Sequence, residues 1–242
     1  MSEIEIALNR ILGRFGVALK RNRDRRDATK LFLRKCNERG VAAVLDVGAN
    51  VGQFGHECRE KGWTGSILSF EPPPKAHAAL QRAAAGDQRW QVAPACGVGS
   101  HRHSIKLHLS RDSVSSSVLP VSEGIADLNS GSEQLEAIDI EVAPLDELAG
   151  SALPQPFGLK IDTQGFELEV LRGAGAVLAQ TEVAVIEITF AHLYENGARC
   201  GEVMQFMERA GFVCIGMVEA FANVPEEEVL QVDAALLRKQ AC

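Results

Sequence analysis

No two of the six cysteines (Cys36, Cys58, Cys96, Cys200, Cys214, Cys242) stand in a C-x-x-C spacing. That excludes a zinc knuckle or an iron–sulfur cluster of the usual kind, and without a disulfide framework the chain suits a reducing compartment. Aromatic residues are scarce at 5%, with one tyrosine and two tryptophans, so the stacking surfaces that nucleic-acid binders use are few. No stretch approaches the roughly 18 apolar residues that a transmembrane helix requires. The first residues, MSEIEIALNR, carry acids where a secretory signal carries bases, and no apolar run follows. The expectation is a cytoplasmic protein without a transmembrane segment.

The 242 residues suffice for one sizeable domain, and 46% apolar with 24% charged residues is a globular balance. The net charge of -7 is unevenly spread. Residues 10–39 carry eleven Lys/Arg against Asp24, Asp27 and Glu38, while the rest is strongly acidic. The basic stretch reads either as a solvated helix face or as a contact for an anionic surface, a partner enzyme or a second copy in a homodimer.

From Ile4 to about Lys35 the apolar spacing is helical, split near Lys20–Arg26, and Gly40 stops the second helix. Residues 1–40 therefore form a helical extension, and 41–242 the main domain. Within it, strands Val41–Val47, Ser66–Phe70, Gln91–Ala95, Leu159–Ile161 and Val183–Ile188 alternate with helices Gly52–Lys61, Lys75–Ala85 and Phe166–Leu178. Helix Gly201–Arg209 then leads into strands Phe212–Val218 and Val229–Leu237. Strands apolar on both faces and separated by helices predict a doubly wound, mostly parallel α/β sheet. Ile105–Leu109 and Ile138–Val142 alternate in polarity and predict an inserted hairpin. Between them, Ser110–Glu136 holds eight serines in 27 residues and reads as a lid over an acceptor or as a linker.

The chemistry concentrates at strand ends. The first strand ends in Asp46, followed by Gly48, Asn50 and Gly52. Glycines there permit a close backbone approach, and the helix that follows offers unpaired N–H groups. The turn lacks the third glycine of a dinucleotide fingerprint, and Asp46 repels a pyrophosphate but suits an ammonium. The second strand ends in Glu71, placed to accept both hydroxyls of a ribose. A nucleoside joined to an amino acid satisfies both carboxylates, and S-adenosylmethionine is such a ligand.

Those segments, Asp46–Gly52 (D-V-G-A-N-V-G) and Ser69–Pro74 (S-F-E-P-P-P), recur with others in one order. They are Ala95–Gly97, Ser115–Ser117, Leu159–Ala174 (L-K-I-D-T-Q-G-F-E-L-E-V-L-R-G-A), Ile186–Phe190 and Gly211–Phe212. In these motifs the chain, from about Val41 to Asp233, resembles the FkbM-type family of S-adenosylmethionine-dependent methyltransferases. The resemblance implies a Rossmann-like class I methyltransferase acting on hydroxyl oxygens of sugars, glycolipids or polyketides. It implies that Asp46, Gly48, Asn50 and Gly52 line the methionine end of the cofactor, that Glu71 holds the ribose, and that Ala95, Cys96 and Gly97 border the adenine.

For catalysis, Lys160 and Asp162 share one face of the fourth strand, and Asp162 sits at its carboxyl rim beside the cofactor. The fifth strand brings Glu187 to a similar height, and His192 follows in its exit loop. The acceptor's proton goes to Asp162, Glu187 or His192; Lys160 is either a catalytic group or the ion-pair partner of these carboxylates. A second mechanism has Asp162 and Glu187 holding Mg²⁺. Glu167 and Glu169 read as helix-dipole compensation, and His101, His103 and His108 as exposed hairpin residues. The expected function is O-methylation of a sugar, glycan or glycolipid. The alternatives are a polyketide or other secondary metabolite, an RNA methyltransferase or nucleic-acid binder, and a cofactor-binding scaffold without turnover.

Overall fold

A computed structural model describes residues 27–110, 134–150, 153–190, 193, 197–223 and 228–240. The serine-rich stretch over 111–133, His192, Tyr194 and residues 1–26 lie outside the described residues.

The chain opens with α1 (Ala28–Glu38), whose N-cap Asp27 accepts from the Lys30 backbone N–H at 2.8 Å. Strand β1 (Ala43–Val47) is buried throughout, as a central parallel strand must be. Then come α2 (Gln53–Glu60), β2 (Ser66–Phe70), α3 (Pro74–Ala84) and the short β3 (Trp90–Val92). Pro74 opens α3 at its first turn, where the missing N–H costs nothing. A second group follows: β4 (Gly97–Val98), β5 (His103–Ser110), β6 (Gln134–Ala143) and the turn helix α4 (Leu145–Leu148). The chain returns through β7 (Phe157–Ile161), α5 (Glu167–Arg172), α6 (Gly175–Ala179), β8 (Thr181–Thr189), α7 (Cys200–Arg209), β9 (Phe212–Asn223) and β10 (Glu228–Arg238).

Seven strands form the main sheet in the order β3-β2-β1-β7-β8-β10-β9. The pairs from β3 to β8 are parallel, and β10 runs antiparallel between β8 and β9. This is the expected doubly wound, mostly parallel α/β sheet. The expected hairpin is present too: Ile105 faces Ile140 and Leu107 faces Ile138 in the antiparallel β5–β6 pair, which β4 extends into a three-stranded sheet.

Apolar cores cover both faces of the main sheet. On one face α4, α5, α6 and α7 bury Leu145, Leu171, Leu178 and Met207 against Leu45, Leu159 and Ile186. On the other, α1, α2 and α3 bury Phe32, Cys58 and Leu80 against Val44, Ile67 and Val183. Helix α1 thus packs into the core, so the extension expected over residues 1–40 shares the domain's core from residue 28 onward. It lies so close to β7 that a Cβ on Gly158 would sit 2.7 Å from the Phe32 ring.

Two sequence expectations change. The strand expected over Gln91–Ala95 ends at Val92, and Ala95–Gly97 instead lead into β4 of the second sheet. The helix expected over Phe166–Leu178 is two helices with a break at Gly173, where a side chain would strike the Gly99 carbonyl at 1.9 Å.

Candidate active site

The turn after β1 is held against its neighbours by backbone contacts. The Gly48 and Ala49 N–H groups both donate to the Phe70 carbonyl at 3.1 Å. Gly48 has φ +77, and a Cβ there would meet the Asp162 carbonyl oxygen at 1.8 Å. Gly52, at φ +99, starts α2 and faces Trp90, Ala83 and Leu80. Packing against the Asp162 carbonyl requires a glycine at 48, and the left-handed φ with close side chains favours one at 52.

Asn50 is left-handed at φ +47, a conformation asparagine tolerates better than most residues. Its backbone N–H donates to Glu71 Oε2 at 2.6 Å. Its side-chain Oδ1 and Nδ2 are buried yet have no partner among the described residues, a state that proteins rarely leave unexplained. Glu71 is 8% exposed, and burial pushes its carboxyl up to about 7 against the opposing Asn50 N–H.

Beneath this turn lies a polar relay on the sheet face that α1 and α2 cover. The Trp90 indole N–H donates to Ser69 Oγ at 3.0 Å, and Ser69 Oγ donates to Asp46 Oδ2 at 3.0 Å. Among the described residues Asp46 Oδ1 has only the Lys160 ammonium, at 3.3 Å. Lys160 donates to the Gly48 carbonyl at 2.6 Å and lies 3.6 Å from Asp162 Oδ2. Asp46 is fully buried; burial raises its pKa, and Lys160 opposes the rise. Burial lowers the Lys160 pKa, yet Asp46 and Asp162 outweigh it and leave the ammonium more basic than usual. Of the readings open for Lys160, the ion pair is what the structure displays.

Adjacent strands continue the polar row. The Gln164 side-chain N–H₂, on a residue at φ +53, donates to Asp162 Oδ1 at 2.8 Å and to Glu187 Oε2 at 2.7 Å. Gln231 adds a donation to Glu187 Oε2 at 2.9 Å. Burial, then the Asp162 charge, raises the Glu187 pKa well above normal. Asp233 stands opposite Glu187 in the β8–β10 register. Glu167 is buried rather than a surface compensator of the helix dipole: its Oε1 accepts from the Thr163 N–H at 3.1 Å and the Gly165 N–H at 3.0 Å. Burial holds it at about 7, and it staples the turn that carries Gln164. Glu169 pairs with Arg172 on the surface.

These elements enclose a cavity of ≈ 300 Å³. One end is bounded by Ala49, Asn50, Glu71 and Pro72, with an apolar wall of Val98, Leu107, Ile140 and Val142 from the second sheet. The other end runs over Lys160 between the sheet and α1 and α2, lined by Thr29, Phe54, Glu57, Val185 and Asp233. Asp162 and Gln164 also line the cavity. Of the residues singled out from the sequence, Gly48, Asn50, Glu71, Cys96, Gly97, Lys160 and Asp162 line this cavity. Asp46, Gly52, Ala95 and Glu187 do not. Asp46 is fully buried and pairs with Lys160, which does line the cavity.

Gln164, Gln231 and Asp233 escaped the sequence reading as site residues. The signal for the last two was present: Gln231 and Asp233 alternate with Leu230, Val232 and Ala234, which gives an otherwise buried strand one polar face. Among the described residues no group of three or more His, Cys, Asp or Glu side chains could hold a metal ion. Asp162 and Glu187, the pair considered for Mg²⁺, instead share the donor amide of Gln164. The His101 and His103 rings stack at 4.4 Å on the hairpin.

The chain is similar to known methyltransferases. A family model described as the methyltransferase FkbM domain matches residues 46–214. A hexuronic acid methyltransferase, AglP, of Haloferax volcanii is 26% identical over 167 residues, which cover 69% of this chain and 63% of that protein. Methyltransferase 1 of Beauveria bassiana is 25% identical over 164 residues, covering 60% of this chain and 64% of that one. The chain thus aligns with less than two thirds of the length of either relative. Among solved structures, an rRNA methylase from Streptococcus thermophilus superposes with a TM-score of 0.48 at 11% identity, covering 93% of this chain and 100% of that one. No helix among the described residues is long and apolar enough to cross a membrane.

Proposed function

The chain belongs to the FkbM methyltransferase family, and from that premise we propose that it transfers the methyl group of S-adenosylmethionine to a hydroxyl of a sugar, glycan or glycolipid. The observation that carries this reading is the Asn50–Glu71 pair: a buried carboxylate at the tip of β2, beside an asparagine side chain whose two polar atoms lack partners. A ribose diol suits the carboxylate, and the cofactor's polar groups suit the amide. The apolar wall of Val98, Leu107, Ile140 and Val142 suits an adenine, with Cys96 and Gly97 beside it. The residues present therefore fit the cofactor.

Bound there, the cofactor supplies an electrophilic methyl carbon that needs no further activation. The chain's part is to align the acceptor and handle its proton. Asp162, at the end of β7, lines the cavity with one oxygen held by Gln164 and the other 3.6 Å from Lys160. That fixes its orientation and leaves Asp162 to receive the acceptor's hydroxyl hydrogen. Lys160 holds down the net negative charge of the row, and Gln164 keeps Glu187 from crowding Asp162. The sugar-directed relative from Haloferax volcanii supports a carbohydrate acceptor.

Calorimetry of the full chain with S-adenosylmethionine, followed by label transfer to a panel of glycosides, tests the reading. Asp162→Asn is expected to bind the cofactor within threefold of wild type and to transfer methyl at least a hundredfold more slowly. Wild-type turnover by that variant contradicts the assignment.

A further inference from the structure

The far end of the cavity has a charge balance that bears on what enters it. Lys160 is the one cation among the described residues that line the cavity, against Glu57, Glu71, Asp162 and Asp233. Lys160 is already engaged by Asp46, Asp162 and the Gly48 carbonyl. Glu57 is satisfied as well: it accepts from the Thr29 hydroxyl at 2.7 Å and pairs with Lys61 at 3.0 Å. Asp233 differs from all of these. Its carboxylate is half-buried, lines the cavity, and has neither a hydrogen bond nor an ion pair with any described residue.

Building on the proposed methyl transfer, we propose that Asp233 selects the acceptor. It makes the end of the cavity between α1, α2 and the sheet a site for neutral or amine-bearing hydroxyl compounds, and it excludes those that carry a carboxylate. Hydroxyl and ammonium groups are donors that an unpartnered carboxylate can accept from. An anionic sugar would instead add negative charge beside Asp162 and Asp233, where the one ammonium among the described lining residues is already balanced. Burial, followed by the nearby Asp162 charge, holds Asp233 at about 6 while Lys160 opposes the rise, so it is ionised near neutral pH. Glu57 from α2 and Glu187 from β8 are the other titratable groups near it. The selectivity predicted here is opposite to that of a methyltransferase acting on hexuronic acids, such as the Haloferax volcanii relative.

The test uses the full chain loaded with S-adenosylhomocysteine and three probes at pH 7: methyl β-D-glucopyranoside, D-glucosamine and D-glucuronate. Binding is read by saturation-transfer NMR and calorimetry. The expected order has D-glucosamine and the neutral glycoside at least tenfold tighter than D-glucuronate. In Asp233→Asn the gap should shrink to less than threefold at unchanged S-adenosylhomocysteine affinity, whereas Asp233→Glu, which keeps the charge, should preserve it. D-glucuronate binding as tightly as the others overturns the proposal, as does a gap that survives Asp233→Asn, or a loaded chain that binds no probe. A chain that binds S-adenosylhomocysteine but does not discriminate overturns only this inference. A chain that fails to bind S-adenosylhomocysteine overturns the proposed function together with it.

Discussion

Replacing Glu71 with Gln separates stability from binding, because the structure gives the two effects opposite signs. Burial raises the Glu71 pKa from 4.5 to about 7. A raised folded-state value means that the carboxyl favours folding fully below pH 4.5 and loses that contribution as the pH climbs through 7. At about 1.36 kcal/mol per unit, the ionised carboxylate costs about 3 kcal/mol of stability at pH 8. Gln keeps an oxygen for the Asn50 N–H, now 2.6 Å from Glu71, and the raised value already includes that bond's support of the charged form. The net gain is therefore about 3 kcal/mol, or a rise in Tm of roughly 6–12 °C for a domain of this size. Cofactor affinity moves the other way. A carboxylate can accept both ribose hydroxyls and the amide oxygen only one well, so about 2–3 kcal/mol is lost, a weakening of roughly 30- to 150-fold. Differential scanning calorimetry at pH 5 and pH 8, with titration of S-adenosylhomocysteine, reads both effects. A variant that binds within threefold of wild type refutes the ribose assignment, and one that loses stability at pH 8 refutes the burial argument.

Two further pairs of substitutions probe the scaffold. Lys160→Met leaves Asp46 fully buried without its ammonium and should cost about 3–5 kcal/mol in urea denaturation. Adding Asp46→Asn should recover most of that, and two independent, additive losses would contradict the pairing. Gly48→Ala forces a Cβ to within 1.8 Å of the Asp162 carbonyl at φ +77, so little folded protein is expected by circular dichroism. Gly150→Ala, also left-handed but with nothing within 4 Å, should cost only about 1–2 kcal/mol; equal penalties would show that packing is not the reason for Gly48.

The sheet was legible because burial on both faces leaves a nearly continuous apolar signature, seen in β1, where all five residues are buried and Asp46 alone is polar. The β5–β6 hairpin was legible for the opposite reason, a clean alternation of polarity that set its register. What local sequence could not carry was order. Nothing in Val229–Leu237 says that β10 inserts antiparallel between β8 and β9, yet that insertion brings Asp233 opposite Glu187. Glu71 was readable because it ends a strand beside the Gly48–Gly52 turn. Asp46 was placed at the right strand end, but the sequence did not show that Lys160, one strand away, occupies its free side. Gln164 and Glu167 sit in a turn held by side-chain hydrogen bonds, Gln164 to the carboxylates of Asp162 and Glu187 and Glu167 to backbone N–H groups, and spacing rules for helices and strands do not describe such contacts.

A crystal structure of the full chain with S-adenosylhomocysteine addresses the central claim most directly. The ribose hydroxyls should lie within hydrogen-bond distance of the Glu71 carboxylate, with the adenine against Val98, Leu107, Ile140 and Val142 and the sulfur turned toward Asp162. A nucleoside lodged elsewhere, with Glu71 still bound only to the Asn50 N–H, would contradict it.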